Sequence, residues 1–449
     1  MPQTTTDVMA GPVTGRNIAV IGSGYVGLAL SASLALLGHR VECTDKSPER
    51  IAQLSAGCVP VVEDSLTELI GEMLGAGRIR FGTDNAAAAA SADFIFLCLP
   101  TPADADGSAD VSLVLAVAAE IGPRLRPGTT VITKSTVPVG TADQVRRALA
   151  RGDVHVAANP EFLAEGSAVR DCLYPDRIVI GAHSPAVARR VADLFGPAGL
   201  SRTIITDVTS AELIKYASNA YLATRLAYVN SIAELCEATG ADVRCVMAGM
   251  GSDHRIGSAF LQPGPGWGGS CLPKDTQALV HTAGEFGCSL ELVEAAIAAN
   301  AHHIQRIIGK VSAALGDLRG RRIALLGLTF KAGTSDLRNS PAMAIAEGLR
   351  AIGASVQAYD PTVHPGAVTG IETHGSLVSA CRDAEALVIG TEWPEFAALD
   401  LPVLRAAMSG RVIVDARNIL DPAAAVRAGF VYTGIGIPMA GELAAQVAT

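Results

Sequence analysis

The sequence predicts an α/β protein with two doubly wound, Rossmann-like domains joined by a central helical domain. Short apolar runs of strand length alternate with helical segments in residues 16–207 and again in residues 315–449. Between them, residues 208–314 have a helical pattern without strand signals. Strands that alternate with helices are typical of parallel sheets covered by helices on both faces. We therefore expect three domains, preceded by a loose tail at residues 1–15.

The first domain is predicted from six apolar runs, each short enough for a buried strand. They occupy residues 17–21, 40–45, 93–100, 129–136, 154–160 and 177–182. Gly38 ends the helical segment after the first run, as glycine often does just past a helix C-terminus. We expect these runs to form one parallel sheet.

The sequence after residue 207 predicts a helical region and then a second region of alternating strands and helices. Residues 210–240 lack proline and predict one long helix, and residues 275–314 predict further helix. In the last domain, Ser340 and Pro341 mark a helix start and Gly353 its end. The strands expected there lie at residues 321–328, 355–361, 386–393 and 411–418.

Composition excludes several classes of protein. The net charge of -9 argues against a general nucleic-acid binder. Nine cysteines lie scattered without a CxxC pair, which suits a reducing cytosol rather than a disulfide framework, and we expect no metal site. The sequence shows no signal-peptide pattern and no run of 18 apolar residues, so we expect a cytoplasmic protein without a membrane span.

A dinucleotide site is predicted where the first strand ends. The motif GSGYVG supplies the glycines of G-x-G-x-x-G, which are Gly22, Gly24 and Gly27. Such a turn lets a pyrophosphate approach the free N–H groups at the helix start. Asp45, after the next strand, can accept hydrogen bonds from a ribose diol and would repel a 2′-phosphate, so NAD is favoured over NADP. Lys46 and Arg50 oppose that preference slightly.

A second site for a phosphorylated ligand is predicted in the last domain. The turn after the strand at residues 321–328 lacks G-x-G-x-x-G but carries Lys331 and Arg338. Arg338 comes just before a capped helix, and cations beside a helix N-terminus suit a phosphate. Ordinary surface charge is the alternative.

Polar side chains that suit catalysis occur in three loops and on one helix. The loops are KSTVPVG at 134–140, NPEFLAEG at 159–166 and PGPGWGGSCLPKD at 263–275. Lys215 and Asn219 are four residues apart, so they share a helix face and could donate to one oxyanion. In a chain that binds NAD, a Cys271 thiolate could attack an aldehyde and form a thioester, with nearby glycines giving the substrate room. A solvated helix face and an inert buried thiol are the alternatives.

These motifs, with GSGYVG and FKAGTSDLR, occur in the order typical of one family. Over nearly all of residues 16–440 the chain resembles the UDP-glucose/GDP-mannose dehydrogenase family. The resemblance implies an NAD-dependent, four-electron oxidation of a sugar-nucleotide C6 alcohol to a carboxylate, with two NADH formed. It also implies a homodimer or higher homo-oligomer. UDP-glucose is favoured as the substrate, with GDP-mannose and a UDP-N-acetylhexosamine as alternatives.

The resemblance also implies roles for individual residues. Cys271 would be the nucleophile, while Lys215 and Asn219 would stabilise the C6 oxygen or transfer its proton. The other catalytic residues would be Glu161 as acid or base and, at the hydrolytic water, Thr136 and Asp275. The cofactor would be bound by Gly22, Gly24, Tyr25, Val26, Gly27, Asp45, Lys46, Arg50, Thr101, Ser135, Thr136, Glu165 and Arg338. The substrate would be contacted by Glu161, Phe162, Leu163, Lys215, Asn219, Arg255, Phe260, Leu261, Gly268, Phe330 and Lys331, with Arg255 reaching it across the dimer.

The chain departs from the family pattern at two places, and two other function classes stay open. Glu63-Asp64-Ser65-Leu66 stands where the family often has E-P-G-L, and Ile437 stands where arginine is frequent. A two-electron β-hydroxyacid dehydrogenase also joins an NAD domain to helices, but it needs neither a nucleophilic cysteine nor a C-terminal α/β domain. A non-catalytic, NAD-responsive binding protein would not need the set Thr136, Glu161, Lys215, Asn219, Cys271 and Asp275.

Overall fold

A computed structural model describes residues 14–63, 65–438 and 440. Contacts within the chain divide it into unit 1, which contains residues 1–218 and 277–288, and unit 2, which contains residues 219–276 and 289–449. Almost all of the predicted N-terminal tail lies outside the described residues.

Unit 1 is built on one eight-stranded sheet. Its strands are β1 (Asn17–Ile21), β2 (Arg40–Thr44), β3 (Ile79–Gly82), β4 (Phe94–Leu97), β5 (Thr130–Thr133), β6 (His155–Ala158), β7 (Ile178–Ala182) and β8 (Thr203–Thr206). Their order across the sheet is β3-β2-β1-β4-β5-β6-β7-β8. Pairing is parallel except between β6 and β7, which run antiparallel.

Helices cover both faces of this sheet. They are α1 (Tyr25–Leu36), α2 (Pro48–Ser55), α3 (Leu66–Gly75), α4 (Asn85–Ser91), α5 (Ser112–Ile121), α6 (Thr141–Leu149), α7 (Ala168–Leu173), α8 (Pro185–Ala192) and α9 (Gly196–Leu200). Side chains alternate along a strand, so Ile18 and Val20 enter one apolar cluster while Ala19 and Ile21 enter the other. This two-sided burial explains why the strands have continuous apolar sequences.

Unit 2 contains a six-stranded sheet in which all pairs are parallel. Its strands are β9 (Arg322–Leu326), β10 (Ser355–Tyr359), β11 (Glu372–Thr373), β12 (Ala386–Ile389), β13 (Val412–Asp415) and β14 (Val431–Gly434), in the order β11-β10-β9-β12-β13-β14. The helices after α9 are α10 (Val208–Thr239), α11 (Val243–Gly251), α12 (Leu272–Glu285), α13 (Glu291–Leu315), α14 (Pro341–Ala351), α15 (Leu377–Cys381), α16 (Pro394–Ala397), α17 (Leu401–Ala407) and α18 (Pro422–Arg427). The division between the units falls within α10 and again within α12.

The predicted fold class is confirmed, with one correction to the first sheet. We expected all its strands to be parallel, but β7 runs against β6. The link between them forms the NPEFLAEG loop and the short α7 instead of a full crossover helix, so β7 starts at the edge where β6 ends. The sequence interpretation also missed short strands such as β3 and β8. The boundaries of three domains stay a prediction.

Within the part of the chain that the structure describes, each helix is too short or too polar to cross a bilayer.

Candidate active site

Three glycines shape the turn between β1 and α1, and two of them leave no room for a side chain. Gly22 has φ +106°, and a Cβ there would lie 2.2 Å from the Cys98 carbonyl oxygen. A Cβ on Gly27 would lie 1.9 Å from the Gly22 carbonyl oxygen, whereas nothing lies within 4 Å of one added at Gly24. The turn therefore fits the pyrophosphate of NAD, which can approach the N-terminus of α1 beside Gly24.

Asp45 follows β2, where the sequence predicts the ribose contact. Its carboxylate accepts hydrogen bonds from the Ser23 N–H at 3.2 Å, the Ser23 hydroxyl at 2.8 Å and the Ser47 N–H at 3.1 Å. Burial raises the pKa of this carboxyl, but these bonds and the Arg50 guanidinium at 4.0 Å outweigh it, so the pKa lies below its ordinary value. The residue is thus an ionised acceptor suited to a ribose, and Lys46 beside it is exposed.

Glu63 joins the dinucleotide turn to the NPEFLAEG loop, and the sequence interpretation missed it. Its buried carboxylate accepts hydrogen bonds from the Tyr25 hydroxyl, from the Gly166 N–H at 2.7 Å and from the Ala168 N–H at 2.6 Å. Val26, the next residue of α1, packs against the apolar core. The available signal was the glutamate that begins the E-D-S-L motif.

The two departures from the family pattern have physical consequences. Ser65 has φ +60°, a conformation that glycine adopts freely and that disfavours other residues by about 1 kcal/mol. Asp64 lies outside the described residues. Ile437 is buried in the core of unit 2, so an apolar residue suits that position.

Thr136 lies at the carboxyl end of β5, where doubly wound sheets bind ligands. The Thr101 hydroxyl donates to the Thr136 carbonyl oxygen at 2.8 Å. The Ser135 hydroxyl accepts from the Leu99 N–H at 2.8 Å and donates to the Leu99 carbonyl oxygen at 2.7 Å. These bonds hold the loops after β4 and β5 together.

Glu161 and Lys215 form a buried ion pair in unit 1. Lys215 Nζ lies 2.9 Å from Glu161 Oε1, and the residues are 3% and 6% exposed, respectively. The Leu163 N–H donates to the other Glu161 oxygen at 2.6 Å. Burial raises the pKa of Glu161, but the charge of Lys215, these hydrogen bonds and the charge of Lys134 together hold it below its ordinary value. Glu161 is therefore held in its ionised form.

The ring of Phe162, in the same loop as Glu161, contacts two cations from other parts of unit 1. The Arg177 guanidinium carbon is 3.8 Å from the ring centre, and Lys215 Nζ is 5.4 Å from it. Such contacts hold the ring beside Lys215. Leu163 and Glu165 are half-buried in this loop. Arg177 was missed because nothing in its local sequence indicates that it meets Phe162.

Asn219 and Asp275 meet in unit 2. Asn219 Nδ2 donates to Asp275 Oδ2 at 2.6 Å, and Lys274 Nζ contacts Asp275 Oδ1 at 2.6 Å. Asp275 is only 1% exposed, so these two donors compensate its burial. The sequence interpretation did not assign a role to Lys274, although this residue lies in the motif PGPGWGGSCLPKD.

Cys271 directly precedes α12, and its carbonyl oxygen accepts the Asp275 N–H at 2.8 Å. Its side chain is exposed, and the Ser270 hydroxyl lies 3.6 Å from its sulfur. The free N–H groups of a helix start favour an anion, so this position suits a thiolate. In contrast, burial raises the pKa of Cys43 to about 12 and of Cys172 to about 11, which keeps those thiols unreactive.

The glycines before Cys271 allow the chain to pack against itself. A Cβ on Gly268 would lie 2.1 Å from the Asn339 carbonyl oxygen, and one on Gly269 would lie 2.9 Å from the Phe330 ring. The sequence interpretation assigned this space to the substrate, whereas other parts of unit 2 fill it. A sugar contact by Gly268 stays a prediction.

The turn after β9 is shaped by one buried carboxylate. Asp360 accepts hydrogen bonds from the Leu328 N–H at 2.8 Å, the Thr329 N–H at 3.1 Å and Trp393 Nε1 at 3.1 Å. It is 2% exposed. The start of the predicted nucleotide loop is therefore held rigidly, a role that the sequence interpretation did not assign.

The predicted nucleotide-binding side chains extend from this turn. Lys331 Nζ lies 5.9 Å from the centre of the Phe330 ring. The Phe330 carbonyl oxygen accepts a hydrogen bond from the Arg417 guanidinium at 2.7 Å. Arg338 is exposed and pairs with Asp336 at 2.7 Å.

Three predicted substrate residues follow α11. The exposed Arg255 side chain pairs with Asp253 at 2.6 Å, and Phe260 is 45% exposed with φ +56°. Leu261 is 3% exposed and belongs to the apolar core of unit 2. The structure therefore leaves Leu261 only its backbone for a ligand.

Three domain descriptions of one family match the chain. The UDP-glucose/GDP-mannose dehydrogenase family matches with its NAD binding domain at residues 16–198, its central domain at 209–302 and its UDP binding domain at 324–422. A UDP-glucose 6-dehydrogenase of Rhizobium meliloti (strain 1021) is 44% identical over 435 residues, covering 94% of this chain and 99% of that protein. A UDP-glucose 6-dehydrogenase of Pseudomonas aeruginosa is 40% identical over 451 residues, covering 96% of this chain and 100% of that protein.

A solved structure also matches. It is a UDP-glucose dehydrogenase from the hyperthermophilic archaeon Pyrobaculum islandicum, with a TM-score of 0.88 and 34% identity, covering 95% of this chain and 98% of that one. The domain descriptions agree with the dinucleotide turn that NAD is the cofactor, and they indicate a nucleotide sugar as the substrate. The chain belongs to the UDP-glucose/GDP-mannose dehydrogenase family.

Proposed function

We propose that this protein oxidises the C6 alcohol of UDP-glucose to the carboxylate of UDP-glucuronate, with two NAD reduced per substrate. The observation that carries this proposal is α10, on which Lys215 and Asn219 lie one turn apart and each contacts a buried carboxylate. The relatives named UDP-glucose 6-dehydrogenase span almost the whole chain and support this substrate. NAD, when bound, accepts one hydride from C6 in each of the two oxidations.

In the first oxidation, a base takes the proton of the C6 hydroxyl. Glu161 is ionised and serves as that base, while the Lys215 ammonium stabilises the charge that develops on the oxygen. Asn219 has two amide hydrogens, of which one bonds Asp275, so the other can donate to the same oxygen. The product of this step is an aldehyde.

In the second oxidation, Cys271 forms a covalent bond to the substrate. The thiolate adds to the aldehyde carbon and gives the oxyanion of a thiohemiacetal, and loss of a hydride from C6 of this oxyanion gives a thioester. Water then attacks the thioester carbon, the carbon–sulfur bond breaks, and the carboxylate, the Cys271 thiolate and two protons are released. We assign the positioning of that water to Thr136 and Asp275.

The reaction is tested by counting NADH on a panel of UDP-glucose, GDP-mannose and UDP-N-acetylhexosamines. We expect two NADH per UDP-glucose and little turnover of the others. Cys271→Ser should lose sustained formation of the acid, whereas Cys245→Ser, at another exposed cysteine, should behave as wild type.

Each contrary outcome identifies a different function. NADH from GDP-mannose but not from UDP-glucose would refute the proposed substrate. One NADH per substrate would indicate a two-electron dehydrogenase, and binding of both ligands without any NADH would indicate a regulatory protein. Normal acid formation by Cys271→Ser would refute the covalent mechanism.

We also propose that the chain acts as a homodimer or higher homo-oligomer in the cytoplasm. Four large apolar side chains on α10 are exposed at intervals of seven or eight residues, which places them along one face. They are Leu213, Tyr221, Tyr228 and Leu235, with exposed fractions of 44%, 64%, 53% and 57%. The nine cysteines all lie among the described residues and form no disulfide, which suits a reducing compartment.

A further inference from the structure

Glu212 lies one turn before Lys215 on α10, and the proposed reaction does not use it. The residue is 3% exposed. Its two carboxylate oxygens accept hydrogen bonds from the Gly140 N–H at 2.7 Å and the Ala142 N–H at 2.8 Å. These N–H groups belong to the start of α6, where a helix has no internal acceptors for them. Glu212 thus caps a helix that is distant from it in sequence.

The capped segment continues directly from the KSTVPVG loop, which carries Thr136. Glu212 therefore connects that loop to the helix that carries Lys215. The start of α10 has little freedom to shift, because a Cβ added at Gly181 of β7 would lie 2.5 Å from the Asp207 carbonyl oxygen and 2.5 Å from the Ala211 side chain. A firmly packed helix can hold a loop through a short, two-bonded link.

We propose that Glu212 is a positioning residue whose carboxylate holds the start of α6, and with it the Thr136 loop, in place relative to Lys215. This inference rests on the proposed function, which assigns Thr136 to the hydrolytic water and Lys215 to the C6 oxygen. Protonation turns one carboxylate oxygen into a hydroxyl, which is a much weaker acceptor, so the bond to one of the two N–H groups would weaken and the loop would loosen.

The surroundings of Glu212 place its titration near neutral pH. Burial raises its pKa to about 7, although the Ala142 and Gly140 N–H groups lower it, and the charge of Asp143 on α6 adds to the rise. Asp143 itself pairs with Arg146 at 3.4 Å and with His183, after β7, at 3.1 Å. The next charged side chain on α10 is Lys215, which pairs with Glu161.

Turnover and stability should therefore respond to pH in opposite directions. A carboxyl whose pKa is raised on folding contributes stability at low pH, and that contribution is lost as pH rises through about 7. Over the same rise in pH, Glu212 becomes ionised, and the ionised carboxylate is the form that holds α6. A purely structural role for Glu212 would not make turnover increase where stability falls.

The first test compares pH profiles of kcat for UDP-glucose oxidation. We expect wild-type kcat to fall below about pH 7, and Glu212→Gln to be about tenfold slower at high pH, without that inflection. KM for UDP-glucose should change less than about twofold, because the residues assigned to the substrate lie outside the Thr136 loop. His183→Gln is the control and should keep the inflection, since it removes the imidazole that contacts Asp143 and leaves Glu212 in place. An inflection that persists in Glu212→Gln would overturn the inference.

The second test uses wild-type protein and needs neither substrate nor a folded variant. Hydrogen exchange of the Gly140 and Ala142 amides, corrected for intrinsic rates, should show about tenfold lower protection at about pH 6 than at about pH 8. Equal protection at both pH values would also overturn the inference. Failure of the wild type to reduce NAD with UDP-glucose would count against the proposed function, while amide exchange would still decide the role of Glu212.

Discussion

At the scale of single residues, Lys215 and Glu161 form an ion pair that is buried away from water. Both side chains are buried, and their charged atoms lie 2.9 Å apart. Taking each charge out of water is unfavourable, and the partner offsets that cost. Each residue therefore needs the other in order to be ionised at this buried position, and the pair adds little net stability.

Removing one member of this pair should be more harmful than removing both. Lys215→Met leaves the Glu161 carboxylate buried and unpaired, so we expect the free energy of unfolding to fall by about 3 kcal/mol near neutral pH. Adding Glu161→Gln should recover most of that loss. Urea unfolding of the two single variants and the double variant measures the coupling, and purely additive effects would contradict this account.

The same pair predicts how stability depends on acid. Folding lowers the pKa of Glu161, so this carboxylate stabilises the folded state at pH values above its unfolded-state pKa. That stabilisation is lost as pH falls through the folded-state pKa. The difference in stability between wild type and Lys215→Met should therefore shrink below about pH 4. A difference that stays constant down to that range would contradict this assignment.

At the scale of elements, the glycine-rich loop before Cys271 and the helix α12 that follows it differ in whether a glycine can be replaced. Gly268 approaches the Asn339 carbonyl oxygen so closely that no side chain fits between them. Gly284, in α12 after the same loop, has open space where a Cβ would be. The loop therefore requires glycine for close backbone packing, whereas the helix does not.

Matched alanine substitutions should move stability in opposite directions. Gly268→Ala should lower the free energy of unfolding by about 2 kcal/mol or more, because a Cβ would overlap backbone. Gly284→Ala should raise it by about 1 kcal/mol, since alanine favours helix. Thermal unfolding measures both, and a Gly268→Ala protein as stable as wild type would show that the loop has room.

At the scale of the whole molecule, the proposed assembly and the proposed catalysis both involve α10. One of its faces presents Leu213, Tyr221, Tyr228 and Leu235 to solvent, while Glu212, Lys215 and Asn219 are buried. A regularly spaced exposed apolar face on a long helix is typical of a surface that pairs with another helix. A second copy of the chain is the partner that the proposed homodimer supplies.

A charge on that face should separate the subunits. We expect Tyr228→Glu to elute with a lower mass than wild type, because a twofold interface would bring two added carboxylates together. Val403→Glu, at an exposed apolar residue of α17, should keep the wild-type mass. Size-exclusion chromatography with light scattering measures this, and a monomeric wild type would exclude the proposed assembly.

The fold class, the dinucleotide turn and the family could all be predicted from the sequence, because each depends on local patterns. Apolar runs of strand length, G-x-G-x-x-G and the cysteine motif are all readable within a few residues. The helix spacing of Lys215 and Asn219 was equally local.

The contacts between side chains that are distant in sequence could be seen only in the folded structure. It placed Glu161 against Lys215, Asn219 against Asp275, and Glu63 and Glu212 against backbone N–H groups more than 60 residues away. It also reversed β7 and gave the space beside Gly268 to the chain itself. No local pattern records such contacts, because burial and hydrogen-bond partners depend on elements that meet only after folding.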